Sequence, residues 1–403
     1  MNLNATVRKA PGGAAARSGS PEGPRWGGCA LRKSWDLGDF FVTIRWVNGS
    51  TIVSRCLSTS NIFFRLNGVS AFFLAFLFTT IISSLPAAEA ITPDQVVDKG
   101  IKALMRLQAP DGSFGGSLTS VTSLCGMALL AGGHTPTRSS YQQASAKALK
   151  YVLSAQDKVT GYLGDGLGRM YAHGFATLYL AECYGMAPEA HLRMALNAAV
   201  ELIYRSQNQQ GGWRYDPVPN EADISVTICQ IMALRAAFNV GVGASTDKAI
   251  PRAVSYVRHC HNGDGSFGYQ GPGTGWVGGG GGAEGVARCA AGCMSLISSG
   301  INDTSDPVLG PGLRFLLKNF ETHLKGQGDY YWYGQYYTAQ ALFHSPDPKD
   351  WERYWSVAWP IIASGQNADG LWSRNDSVGP AYNTAMALII LQIPNNYLPI
   401  FQR

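Results

Sequence analysis

Apolar and polar positions alternate along this chain with the three-and-four spacing of helices, in two kinds of segment that take turns. One kind keeps a charged face, as in "ASAKALKYVLSAQ" (144–156), "ALNAAVELIYRSQ" (195–207) and "WERYWSVAWPIIASGQ" (351–366). The other is apolar nearly all round, as in "TSVTSLCGMALLAGG" (119–133), "ADISVTICQIMALRAAF" (222–238) and "YNTAMALIILQI" (382–393). Such spacing predicts helices, the first kind half-solvated and the second enclosed, with Gly, Asn and Pro at their ends. No segment of the body reads as a sustained strand.

Between the two kinds lies a recurring turn. "QNQQGGW" (207–213) and "QNADGLW" (366–372) share Gln, three residues, Gly, one residue, Trp. "QAPDGSF" (108–114) and "HNGDGSF" (261–267) keep the spacing with Phe for Trp and, in the second, His for Gln; "QDKVTGY" (156–162) is looser. The starts are 48, 51, 54 and 105 residues apart, and 105 is close to two periods. A degenerate copy is therefore expected near residue 314, where "LRFLLKNF" has the helix without the turn, which makes six hairpins. Gln108, Gln207 and Gln366 are expected to cap backbone groups, and Trp213 and Trp372 to pack on a neighbouring hairpin, as a structural staple between repeats.

Residues 1–66 carry nine Lys or Arg against three acids, whereas the chain from Ile91 holds 23 of each sign. The overall excess of +5 thus belongs to the head, and the body lacks the basic footprint of nucleic-acid binding. Arg65, the apolar run Val69–Leu85 and Ala88-Glu89-Ala90 read together as an export signal freeing Ile91. Uncleaved, residues 67–85 would be the only membrane contact. The expected organisation is a disordered extension or misassigned start at 1–66, a signal or anchor at 67–90, and a repeat body at 91–403. The expected location is outside the cytosol: periplasmic, secreted or anchored facing outward. The six body cysteines lie in apolar stretches and read as small buried hydrophobes.

On the Gln-x-x-x-Gly-x-Trp turns and their six-fold recurrence, the body resembles the squalene cyclase and protein prenyltransferase superfamily. The resemblance spans roughly Thr92–Leu398 and implies an all-α fold, an (α/α)6 toroid of six helical hairpins. It also implies candidate activities. Squalene-hopene-type cyclases place an Asp-x-Asp-Asp-Thr acid after a Trp loop. Here Asp223 and Thr227 match its ends, but Ser225 and Val226 replace two acids, so the motif lacks the carboxylic acid that protonates the alkene, and Glu221 is the candidate substitute. Asp223 also suits a helix cap. Prenyltransferase β subunits hold zinc with Asp, Cys and His; Asp329 is present, but Tyr331 stands at the Cys position. The thioester sequence is absent around Cys293. The adjacent His259, Cys260 and His261 point apart on a helix. No metal or cofactor is expected.

Three function classes remain open. One is cyclisation or binding of a hydrophobic isoprenoid, with Asp223, Glu221, Asp329 and His173 as catalytic candidates and Tyr171, Tyr330, Trp332 and Tyr336 as cavity aromatics. If active, such a protein is a cyclase-like isomerase or transferase without the full acid motif. Another is a polysaccharide-active toroid of uronate-lyase type, using Arg169, His173, Arg288 and Arg374. The third is a binding or scaffold toroid. An apolar interior favours lipid, an Arg-lined cleft favours uronate, and a filled centre favours a scaffold. The glycine run Gly271–Gly285 lacks Gly-Lys-Ser/Thr and reads as a loop over one end of the ring. N-terminal sequencing of the native protein should find Ile91, or a start near Asn61; recovery of residues 1–60 would contradict this.

Overall fold

In a computed structural model, the chain divides into two units, Met1–Glu89 and Ala90–Arg403. From 91 onward all residues except 167, 244–245, 275–282, 327–329, 375–376 and 403 are described, without side chains at 246–247 and 283–284. Of the first unit, only the backbone of three strands is described, so the apolar run 69–85 and its cleavage triplet lie outside the described residues. Those strands, β1 (Phe41–Val47), β2 (Ser50–Leu57) and β3 (Ser60–Arg65), form an antiparallel meander in which Val47 pairs with Ser50 and Leu57 with Ser60. The sequence reading expected no regular structure there. It passed over the β-branched run "FVTIRWV" and the Asn48-Gly49 dipeptide, both strand-and-hairpin signals.

Among its described residues the second unit holds twelve α-helices. Six form an outer layer: α1 (Pro93–Met105), α3 (Gln142–Ala155), α5 (Ala190–Ser206), α7 (Thr246–His259), α9 (Leu309–Lys325) and α11 (Pro348–Ser364). Alternating with them are α2 (Thr119–Ala131), α4 (Arg169–Met186), α6 (Ile224–Asn239), α8 (Ala283–Ser298), α10 (Tyr331–Phe343) and α12 (Pro380–Gln392). These even-numbered helices pack each on the next, and α12 returns to α2. The result is a closed inner ring, which is why their sequences are apolar on every face. Among the described residues, no helix is long and apolar enough to cross a membrane.

The recurring turn fastens neighbouring hairpins. The side-chain amide of each Gln donates twice: once to the carbonyl of its own loop glycine, once to a carbonyl near the start of the next outer helix. Gln108 reaches Gly112 O (3.1 Å) and Ala144 O (2.9 Å), and Gln156 reaches Gly161 O (3.2 Å) and Ala195 O (2.8 Å). Gln207 reaches Gly211 O (2.8 Å) and Ala249 O (2.9 Å). Gln366 reaches Gly370 O and, back in α1, Val96 O, both at 3.0 Å, so the same bond closes the ring. The loop glycines need their residue type twice over. Gly211 has φ +99°, and a Cβ there would lie 2.2 Å from Arg252 O of the next outer helix. Trp213 and Trp372 each donate an indole N–H at 2.7 Å to their own outer helix, at Ile203 O and Ile362 O.

A third bond ties the loop to its inner helix. The backbone N–H at the aromatic position donates to a threonine: Phe114 to Thr122 (2.9 Å), Trp213 to Thr227 (3.1 Å) and Trp372 to Thr384 (3.0 Å). Two units lack the glutamine bonds. His261, in the Gln slot, makes neither carbonyl bond; its ring packs edge-on to Phe267, and the Cys289 thiol lies 3.4 Å from both Gly265 O and Gly312 O. The unit of α9 and α10 has no such loop. It is held instead by a chain of side chains, in which Tyr354 donates to Gln335 Oε1 (3.1 Å) and Gln335 to His323 Nδ1 (2.7 Å). All six body cysteines are buried and unpaired.

The middle of the ring is filled. Phe175 of α4 and Tyr336 of α10, on opposite sides, meet with ring centroids 6.0 Å apart, and Tyr337 lies 4.8 Å from Tyr336. The segment after α12 turns back against α4 and α6 and buries Leu398, Ile400 and Phe401, the last 6.5 Å from Tyr336. Glu182 of α4 is enclosed there and accepts the Ile400 N–H; burial pushes its carboxyl from 4.5 up to about 8.

Two stability predictions follow from these contacts. Gly211→Ala should cost about 3 kcal/mol in urea denaturation, against about 1 kcal/mol for Gly116→Ala, whose glycine has φ +74° but nothing within 4 Å. Equal losses would mean that the close approach to Arg252 O contributes nothing. For Glu182, the unfolded carboxyl ionises near pH 4.5 while the folded one keeps its proton to about pH 8. Stability therefore falls as pH rises through that window, by about 1.4 kcal/mol per pH unit. Glu182→Gln should flatten the slope and leave the protein more stable than wild type at pH 8; parallel pH curves for the two proteins would refute this.

Candidate functional site

At the end of the ring where the inner helices begin, a cluster of phenols gathers round the first turn of α6. Tyr171 and Tyr333 occupy the third positions of α4 and α10; Tyr215 and Tyr269 each sit two residues past a loop aromatic. All four are partly buried, and their hydroxyls are engaged. Tyr171 shares a 2.5 Å hydrogen bond with Ser225 Oγ, Tyr333 donates to Ser225 O at 2.9 Å, and the Tyr215 and Tyr269 hydroxyls bond to each other. The rings meet edge-on or tilted, Tyr171 with Tyr215 at 6.1 Å and with Tyr333 at 6.4 Å. Arg169 and Arg214 lie over Tyr215 at 5.8 and 5.2 Å, and Arg214 also over Tyr269 at 6.0 Å. Asp216 pairs with Arg169 and Glu221 with Arg214, so both guanidinium charges are compensated.

Asp223 sits beneath this wall with no exposed surface. It is the N-cap of α6: Oδ1 accepts Ser225 N (2.9 Å), Val226 N (2.9 Å) and Ser225 Oγ (2.6 Å). Oδ2 has no hydrogen bond of ordinary geometry; Arg214 Nε stands 3.9 Å away. Burial raises the carboxyl above the usual range, opposed by hydrogen bonds from Ser225, Val226 and Tyr269 and by the charge of Arg214. The group holds its proton more firmly than a surface aspartate, but presents no atom to a ligand.

The other candidate residues are dispersed. His173 is a structural histidine. The loop at Gln156 carries one extra residue, so Leu163, not Tyr162, fills the aromatic position, and its N–H donates to His173 Nδ1 at 3.1 Å where other units use threonine. His173 Nε2 faces Ala199 O at 3.1 Å, and burial lowers the imidazole to about 4. It is neutral, with both nitrogens committed, and is unsuited to be a base. Glu221 is exposed and paired with Arg214; Asp329 lies outside the described residues.

Of the four aromatics expected in a cavity, only Tyr171 is at the mouth. Tyr336 is in the filled centre, Trp332 is buried beside Tyr331 with ring centroids 4.9 Å apart, and Tyr330 is 62% exposed. The arginines proposed as uronate clamps are engaged internally. Arg169 bonds Asp216, Arg288 donates to Phe267 O at 3.0 Å, and Arg374 donates to Gly326 O at 2.8 Å while lying 3.6 Å over Tyr331. Among the described residues, no three His, Cys, Asp or Glu are grouped to hold a metal. The glycine run after Thr274 lies outside the described residues as far as 282; before it, Thr274 Oγ1 accepts Gln270 N (2.8 Å) and Gly271 N (2.9 Å).

Tyr215, Tyr269 and Arg214 were not singled out from the sequence. The signal was available: counting two residues past each aromatic position gives Gly116, Asp165, Tyr215, Tyr269 and Arg374, and of these Asp165 binds Ser120 N and Oγ, at 2.9 and 2.8 Å.

No curated protein matches the sequence. Among solved structures, the type II terpene cyclase MstE from Scytonema is similar with a TM-score of 0.52 at 13% identity, over 76% of this chain and 98% of that one. Cellobiose 2-epimerase from Spirochaeta thermophila gives 0.54 at 14% identity over 76% and 98%. The α-1,6-mannanase of Salegentibacter gives 0.53 at 9% identity over 75% and 98%. At these identities the likeness is one of fold, and the fold serves unrelated chemistries. Residues 53–318 match the family model of the prenyltransferase alpha-alpha toroid domain, and with its inner ring closed from α2 to α12 this chain belongs to that family.

Proposed function

We propose that this protein is a binding toroid that retains the ring of the terpene cyclases without their chemistry, and that it receives its ligand at the tyrosine mouth. The observation that carries this reading is the contact of Phe175 with Tyr336 across the ring, closed from below by Phe401. A polyprenyl chain folded for cyclisation needs that volume. Two further features support it: Asp223 is consumed as a helix cap, and His173 is consumed as a loop anchor. Export, expected from the apolar run before Ile91, belongs to the same proposal and places the ligand outside the cytosol.

A second reading rests on one specific feature. Asp223 holds its proton above the usual range beside tyrosine rings that could stabilise a cation, which is what an isoprenoid cyclase requires. The two readings separate in one experiment. The full chain is incubated with squalene and with a geranylgeranyl-substituted phenol, and extracts are analysed by mass spectrometry. Both compounds should be recovered unchanged from wild type and from Asp223→Asn. A cyclised product that disappears in Asp223→Asn would replace the binding reading with the cyclase one. Asp223→Ala should in either case lower stability by about 1–2 kcal/mol through loss of the cap.

A further inference from the structure

Beside the tyrosine wall runs a groove of about 460 Å3, lined chiefly by Asn208, Gln209, Gln210, Asn220, Glu221 and Gln270. Its volume lies within the range of about 300–1,000 Å3 common to small-molecule sites. Two of its walls are fastened together by Asn208, which accepts Gly212 N at 3.0 Å and donates to Asn220 O at 3.5 Å, while Arg252 holds Asn208 O at 2.5 Å. The groove is therefore formed before any ligand arrives. It joins the mouth directly. Glu221 at its inner end pairs with Arg214, which lies over Tyr215 and Tyr269, and Gln270 follows Tyr269 in the chain.

We infer that the ligand is a neutral oligosaccharide, one unit lying against the tyrosines and further units in the amide groove; this rests on the binding reading above. Carboxamides offer a donor and an acceptor on one uncharged group, which matches sugar hydroxyls that both give and accept. A hydrocarbon chain would leave the amides of Gln209, Gln210, Asn220 and Gln270 desolvated and unpaired, at about 1–3 kcal/mol each. An anionic polymer meets a carboxylate, Glu221, whose charge already occupies the nearest guanidinium. Phenols with tied hydroxyls, two of them with arginines over their rings, supply a rigid amphipathic wall for one pyranose.

The test is calorimetric titration of the full chain with cellobiose, cellohexaose, α-1,6-mannobiose and α-1,6-mannohexaose, with hexagalacturonate and geranylgeraniol alongside. One neutral hexaose should bind about tenfold more tightly than its biose. Gln209→Ala with Gln270→Ala should remove most of that gain, weakening the hexaose more than the biose, while Tyr215→Ala weakens both. Tyr215→Phe, which keeps the ring, serves where the alanine variant does not fold. Biose binding with no gain in length and no effect of the amide variants would overturn the groove while sparing the mouth. Binding of geranylgeraniol alone, sensitive to Tyr215→Ala, would keep the mouth as a site and overturn the sugar. Tighter binding of hexagalacturonate would overturn neutrality, and binding of no probe would overturn both inferences.

Discussion

The structure depends on one carboxamide making two bonds. A glutamine at the end of an outer helix reaches the carbonyl of its own loop and a carbonyl in the next outer helix, and in doing so fixes the distance and angle between consecutive hairpins. The bond succeeds because the loop glycine, in a left-handed conformation, lets the two backbones come within reach. Inner helices that are apolar all round cannot exist singly in water. They are stable only when each has a neighbour on both sides, and that condition is met when Gln366 finds Val96. Local turn chemistry and global closure are thus the same interaction repeated.

Much of this was legible in the sequence because it rests on spacing. The period near 50 residues, the charged face of "ALNAAVELIYRSQ" against the unbroken apolarity of "ADISVTICQIMALRAAF", and the Gln-to-Gly interval predicted six hairpins and their two layers. What escaped depended on registers that spacing conceals. One inserted residue after Gln156 shifts Leu163 into the aromatic position and turns His173 from a candidate base into the equivalent of Thr227. The tail "NNYLPIFQR" has no periodicity to announce that its phenylalanine lodges inside the ring. Asp329 was chosen for a motif context, and the structure does not describe it. Tyr171 was already a candidate, but Tyr215 and Tyr269 were missed because the repeat was read for its most regular positions, whereas these two stand at the variable position two residues on.

Family membership and function separate at the centre of the ring. The same shell surrounds a terpene cyclase, an epimerase and a mannanase, so what fills or lines it decides the chemistry. Here contacts across the ring between α10 and both α4 and α6 make the centre a packed core. The burial of Asp223, Glu182 and His173 follows from this. Each is a titratable group drawn into the packing, displaced toward its neutral form, and engaged with backbone.

The closing bond from Gln366 to Val96 has a consequence for how such a chain can change its length. An open array of hairpins can gain or lose a unit at either end, since each end is only a cap. A ring has no ends. A seventh hairpin would carry the last glutamine past its acceptor, and the loss of one would leave it short, so the number of units is locked once the first and last have met. Variation is then confined to substitution within units, as at His261, and to the loops where the inner helices begin. In this protein those loops carry the tyrosines and the amides.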